Sequence, residues 1–231
     1  MPRSARSAPG GLVYHVINRR NGRDRLFGKE ADYAAFEKVL AEALARTPTR
    51  LLGWCLMPNH WHLVLWPKED GELSAFVRWL TLTHSQRWHV HRRSVGRGHV
   101  YQGRFKSFPI EKDEHLLTVL RYVERNALRA RLVERAEDWR WSSLWVRQHG
   151  PAELRQLLGV WPLEIPADWL ERVNRAHTIS ELEALRHAVK RSSPYGSPRW
   201  VEQTAKKLNL QWTLRPRGRP RARPIKGLRP L

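Results

Sequence analysis

Met57-Pro58-Asn59-His60-Trp61-His62-Leu63-Val64-Leu65-Trp66 is the stretch on which the reading of this chain turns. On a β-strand, side chains two apart leave the same face, so His60 and His62 stand side by side while Trp61, Leu63 and Leu65 point the other way, Trp61 anchoring the strand in the core. Residues 50–57 are equally apolar, and Pro58 with Asn59 supplies a tight turn, so 50–57 and 59–66 read as the two strands of a hairpin. Two imidazoles on one strand face are the beginning of a metal site. Taken alone they would be polar residues on a solvated face, and only the surrounding pattern reverses that balance.

Working outward, residues 11–18 are β-rich and run into a turn at Asn21 and Gly22, which marks a first strand. From Asp32 to Arg46 the apolar residues Ala35, Phe36, Val39, Leu40, Ala43 and Leu44 recur at helical spacing, and Pro48 ends the run. A second helix covers residues 73–88, with Phe76, Val77, Leu80 and His84 on one side. A strand follows at 104–110, short or at a sheet edge because Pro109 has no N–H to give. Asp113 is placed to cap a third helix whose stripe is Leu116, Leu120, Val123 and Ala127. Tyr122 and Asn126 are offset from that stripe and, four apart, share another face. His115, seven residues before Tyr122, could share its face as a proton-transfer group.

Beyond about residue 138 the chain becomes Trp-rich and helical. Ser180 with Glu183 has capping-box spacing, and Ser197 before Pro198 fits an N-cap followed by proline. The division expected is 1–137 for a first domain, 138–214 for a helical extension and 215–231 for a basic Arg/Pro-rich tail.

The chain has 231 residues and 41% hydrophobic content, enough for a sizeable core. Its 42 Lys and Arg against 22 Asp and Glu leave a formal charge of +20, an electrostatic argument for a polyanionic partner, with nucleic acid first. No amphipathic anchor or lipidation motif supports a lipid surface, and the apolar run from Leu51 to Trp66 is interrupted by Pro58, Asn59 and the histidines, so no membrane span is expected. The single cysteine, Cys55, excludes an internal disulfide, reads as a buried inert thiol and fits a reducing cytoplasm.

The positive charge is clustered. Arg87, Arg92, Arg93, Arg97, Arg104 and Lys106 lie in a segment without acidic residues, interleaved with Trp88, Tyr101 and Phe105. Cations for phosphates and aromatic faces for bases are the ingredients of single-strand binding, with Tyr101 read as a stacking residue and as a reserve nucleophile. His89 and His91, a second His-x-His pair, sit among these arginines without an apolar strand and read as DNA-facing or solvated. In the tail, Arg217-Gly218-Arg219-Pro220 resembles the core of an AT-hook, in which arginines enter a narrow minor groove.

The order strand, helix, hairpin, helix, strand, helix, with the motif Met-Pro-Asn-His-Trp-His, resembles the HUH endonucleases and, among them, the single-tyrosine transposases of the REP-associated type. The resemblance spans most of the chain. It includes Tyr14-His15-Val16-Ile17-Asn18-Arg19, residues 57–65, Tyr101-Gln102-Gly103-Arg104-Phe105, Arg121-Tyr122-Val123-Glu124-Arg125-Asn126, Asp138-Trp139-Arg140-Trp141-Ser142-Ser143 and Gly218-Arg219-Pro220. It implies an α+β, ferredoxin-like antiparallel sheet of four or five strands with helices on one face. It also implies Tyr122 as nucleophile, His60, His62 and Asn126 as ligands of Mg²⁺ or Mn²⁺, a 5′-phosphotyrosine intermediate, and single-stranded DNA with palindromic REP hairpins as substrate. A monomer and a homodimer both remain open. One departure is plain: the family usually has Asn-Pro where this chain has Asn126-Ala127, and alanine lets a helix continue where proline would bend or end it. The rival reading, from another class, is a DNA-binding regulatory protein without catalysis.

Overall fold

The hairpin forms where the sequence places it. In the computed structural model, which describes residues 8–215, β1 (Val13–Arg19) is followed by α1 (Glu30–Arg46), β2 (Arg50–Met57), β3 (His60–Trp66), α2 (Glu72–His91), β4 (Lys106–Ile110) and α3 (Glu114–Glu124). The strands pair antiparallel in the order β2-β3-β1-β4, the ferredoxin-like arrangement. Asp113 caps α3 as expected, its carboxylate accepting from the His115 N–H at 2.9 Å. The tail residues from 216 onward, Arg217 and Arg219 among them, lie outside the described residues.

Alternation in the strands sorts the sheet into two apolar layers. Tyr14, Val16, Leu56, Trp61, Leu63 and Leu65 face α1 and α2, meeting Phe36, Leu40, Phe76 and Leu80. Val13, Leu52, Cys55, Met57, Val64, Phe108 and Ile110 face the other way and meet Leu116, Leu120 and Val123 of α3. The expectation of helices on one face is therefore corrected: α1 and α2 cover one side, and α3 covers the side that carries His60 and His62. An amphipathic stripe requires a partner layer, but nothing in its period says which side of a sheet provides it.

Gly53 lets α3 come this close. A Cβ there would stand 2.9 Å from Leu120 Cδ2 and 3.2 Å from the Ser143 hydroxyl, and the register shift between Leu51 and Gly53 keeps Leu52 and Cys55 on the α3 side.

In the C-terminal part, α4 (Asn126–Arg129), α5 (Ser143–His149), α6 (Ala152–Arg155), α7 (Trp169–Asn174) and α8 (Ile179–Arg191) pack into the same two cores, and α9 (Pro198–Lys207) and α10 (Gln211–Leu214) follow them. Its segments also close the sheet edges. Leu56 N–H donates to Trp141 C=O at 2.9 Å on the β2 edge, and Tyr195 N–H donates to Pro109 C=O at 2.9 Å on the β4 edge. Edge strands with unpaired backbone invite other chains, and both edges here are occupied. The expected Ser180–Glu183 capping box is displaced: α8 is capped by Thr178 with Glu181, the same spacing two residues earlier, where Arg121 holds the Glu181 carboxylate at 2.7 Å.

Candidate active site

Register brings a third histidine to the pair. His15 of β1 lies beside Val64 of β3, on the face that carries His60 and His62, and its Nε2 is 2.8 Å from His62 Nδ1. His15 and His62 are buried, and their rings are 5.0 Å apart between centroids. His60 and His62 rings are 4.9 Å apart, and His60 Nδ1 donates to Asn59 Oδ1 at 2.5 Å.

The Asn59 contact sets one tautomer: His60 donates from Nδ1 and keeps its Nε2 lone pair. The His15–His62 contact admits the proton on either nitrogen; with it on His62 Nδ1, the Nε2 lone pair of His62 is free for coordination, and that buried nitrogen has no hydrogen-bond partner among the described residues. Burial holds all three imidazoles neutral: His15 and His60 are lowered to about 3, and His62 falls well below its ordinary value, by desolvation first and then by neighbouring positive groups, Arg19 and Arg129 among them for His60 and His62. Neutral imidazole is the form that binds a metal, and an orphaned buried nitrogen between such neighbours fits a divalent cation.

Tyr122 of α3 meets the pair from above. Its ring stands edge-on to His62 at 6.0 Å and to His15 at 6.3 Å. Asn126 follows one turn later and is buried. The helix is interrupted between them without any proline: α3 ends at Glu124 and α4 begins at Asn126, while Arg125 keeps φ −81° and ψ 0°, so Asn126 stays on the Tyr122 side. Arg129 closes the group, donating from Nη2 to Asn126 Oδ1 at 2.9 Å with its Cζ 4.4 Å from the Tyr122 ring centroid. The sequence suggested four of these side chains and missed His15 and Arg129. His15 carried one signal, a lone polar residue inside an apolar strand.

The helix break is held from behind by Glu124, fully buried between Tyr122 and Asn126 in sequence. Its carboxylate accepts from Ser143 Oγ at 2.6 Å and Trp169 Nε1 at 2.8 Å, with Arg147 at 3.7 Å. A buried carboxylate fully engaged in this way fixes the backbone on which Tyr122 and Asn126 ride.

The basic residues separate into groups. Arg104 and Lys106 line a cavity of about 490 Å³ with Asn18, Arg19, Gln102 and Phe105, and Arg19 lies directly beside His60 in the sheet register. Arg93 and Arg97 are exposed in the turn after α2. Arg87 is held by both Glu42 oxygens at 2.7 and 2.8 Å, and Arg92 by Asp32 at 2.7 Å. Tyr101 corrects its expected role: it is buried, its hydroxyl accepts from Trp61 Nε1 at 3.1 Å and meets His84 Nδ1 at 2.8 Å, so its ring is no platform for a base.

Glu111, Asp113 and His115 form a second cluster with ligand atoms within 4.8 Å of one another. Those atoms already have structural work, since Glu111 receives the Ser197 N–H at 2.6 Å and Asp113 caps α3 and meets His115 Nδ1 at 2.9 Å. His115 packs on Tyr195 at 5.4 Å, two turns or about 10 Å along α3 from Tyr122. It is not placed for proton transfer at the tyrosine.

A His-x-His strand and a helix bearing Tyr122 thus meet on one face of a ferredoxin-like sheet. The sequence model of the family described as "Transposase IS200 like" matches residues 10–126, and the chain belongs to that family, a family of transposase enzymes. Among solved structures, the REP-associated tyrosine transposase bound to a REP hairpin is similar at 18% identity with a TM-score of 0.53, over 78% of this chain and 93% of that one. A structure described as a transposase of Deinococcus radiodurans aligns at 18% identity with a TM-score of 0.38, over 53% of this chain and 96% of that one. No curated protein matches the sequence. Among the described residues no helix is long and apolar enough to cross a membrane.

Proposed function

We propose that this protein cuts and rejoins single-stranded DNA through Tyr122, at sites marked by palindromic hairpins. The observation that carries the reading is the meeting of Tyr122 with His62, His15 and Asn126 on one face of the sheet, with ring separations near 6 Å. The hairpin comes from the fold's likeness to a transposase solved with a REP hairpin, and the +20 charge supports a polyanionic substrate. The one buried thiol, Cys55, is consistent with a reducing cytoplasm.

In the step itself the Tyr122 oxygen forms a bond to phosphorus and the bond from phosphorus to the 3′-oxygen breaks. The tyrosyl proton is released to solvent, and the departing 3′-oxygen takes up a proton. A 5′-phosphotyrosine and a free 3′-hydroxyl remain, and because one phosphodiester replaces another, rejoining needs no nucleotide cofactor. Tyrosine in water ionises near a pH of about 10, so the site has to help. His60, His62 and Asn126 would hold Mg²⁺ or Mn²⁺, which supplies charge neutralisation at the phosphate oxygens and alignment for in-line attack. Glu124 fixes the helix break that aims Tyr122, and Arg104 and Lys106 hold the strand beside the histidines.

Labelled hairpin single strands incubated with the protein and Mg²⁺ or Mn²⁺ test this. A denaturation-resistant adduct is expected from wild type, none from Tyr122→Phe, and binding without cleavage from His60→Ala. Persistence of the adduct in Tyr122→Phe would overturn the assignment. Binding with no adduct under any metal or sequence would make this a DNA-binding protein without catalysis.

A further inference from the structure

Asn126 Oδ1 is the oxygen that the proposed function assigns to the metal, and here it accepts a hydrogen bond from the Arg129 guanidinium at 2.9 Å. The same guanidinium lies 4.4 Å from the centroid of the nucleophile's ring. Asn126 is buried, its Nδ2 has no partner among the described residues, and the positive group of Arg129 acts on both His60 and His62. One cation therefore already touches the ligand oxygen, the nucleophile's ring and the field of the histidine pair.

Resting on that reading of the site, we infer that Arg129 is a latch that competes with the divalent cation for Asn126 Oδ1 and, once displaced, moves onto the scissile phosphate. The competition is electrostatic and geometric. An amide oxygen that accepts a charged guanidinium offers less to a second cation, and two positive groups crowded around one buried oxygen repel each other. Arg129 is only partly buried, and its long stem can leave Asn126 while remaining beside Tyr122. A phosphate arriving next to Tyr122 gives the fork-shaped guanidinium a better acceptor, since it can bind two phosphate oxygens at once. Metal and DNA would then each favour the other's binding, with Arg129 passing from one acceptor to the next.

Mn²⁺ binding to the full chain without DNA, followed by the loss of the free-ion electron paramagnetic resonance signal, tests the latch apart from activity. Arg129→Met keeps the unbranched stem over Tyr122 and removes the charge. It should bind Mn²⁺ about tenfold more tightly than wild type, with His62→Ala as the control that loses binding. Its single-turnover cleavage at saturating Mn²⁺ should be at least tenfold slower, because the phosphate has lost its guanidinium. Unchanged Mn²⁺ affinity in Arg129→Met, with His62→Ala still defective, overturns the latch and leaves the metal site standing. Tighter Mn²⁺ binding with undiminished cleavage overturns the move to phosphate. Mn²⁺ binding by wild type that His62→Ala does not weaken overturns the site reading and this inference with it.

Discussion

Replacing His15 with phenylalanine isolates the contact that, in the proposed site, orients His62, and leaves His62 itself unchanged. The ring is kept in roughly its own shape, against Phe108 at 4.9 Å, while the acceptor 2.8 Å from His62 Nδ1 is lost. In the absence of a cation, two proton arrangements of the His15–His62 pair nearly balance, since each makes one hydrogen bond and leaves one buried N–H unpaired. A cation on His62 Nε2 decides between them, and it polarises the Nδ1–H that donates to His15. A neutral hydrogen bond is worth roughly 1 kcal/mol and one to a charged group about 1.5–3 kcal/mol, so about 0.5–2 kcal/mol of the bond exists only with metal bound. At 1.4 kcal/mol per factor of ten, His15→Phe should weaken Mn²⁺ binding by roughly 2- to 30-fold. Calorimetric titration of the full chain with Mn²⁺ reads this directly, with a thermal melt to confirm the fold. An affinity within twofold of wild type would refute the orienting role and the tautomer assignment behind it.

Three other outcomes follow from the same geometry. Stability should be nearly flat above pH 7 and fall as the pH drops from about 6.5 towards 3: His84 is lowered to about 3 by burial, so the unfolded chain binds the proton first, and that stability is present above the unfolded value and lost on acidification. His84→Asn should reduce the slope of denaturation free energy against pH by about one proton across that window. Gly53→Ala should cost about 1–3 kcal/mol in denaturant, because its Cβ stands 2.9 Å from Leu120 Cδ2, and it should slow cleavage more than it weakens hairpin binding by lifting α3 from the sheet. Arg104→Ala and Lys106→Ala should each flatten the salt dependence of single-strand binding by about 0.7 in log–log slope, whereas Arg87→Ala, whose guanidinium is already held by Glu42, should change it less.

How far the sequence could be read depended on the period of each signal. The two-residue alternation around His60 and His62, and the turn at Pro58 and Asn59, were enough for the hairpin and for the shared face of the pair. The four-residue step from Tyr122 to Asn126 was enough to put the two side chains on one side, but not to show the break at Arg125 that divides them between α3 and α4. His15 was not legible as a partner, because its proximity to His62 comes from the β1–β3 register, a long-range fact that local pattern does not contain. Tyr101 misled for the opposite reason: a basic and aromatic composition suggested a stacking surface, but composition does not say which way a ring turns, and Trp61 and His84 claim its hydroxyl in the core. Thr178 and Ser180 both satisfy the capping-box spacing, and the choice between them is made by Arg121 on a different helix.

The most direct test of the account is to digest the protein–DNA adduct formed with Mn²⁺ and find the modified residue by mass spectrometry. A nucleotide joined through its 5′-phosphate to Tyr122 is expected. A nucleotide on any other residue, or one joined through its 3′-phosphate, would contradict it.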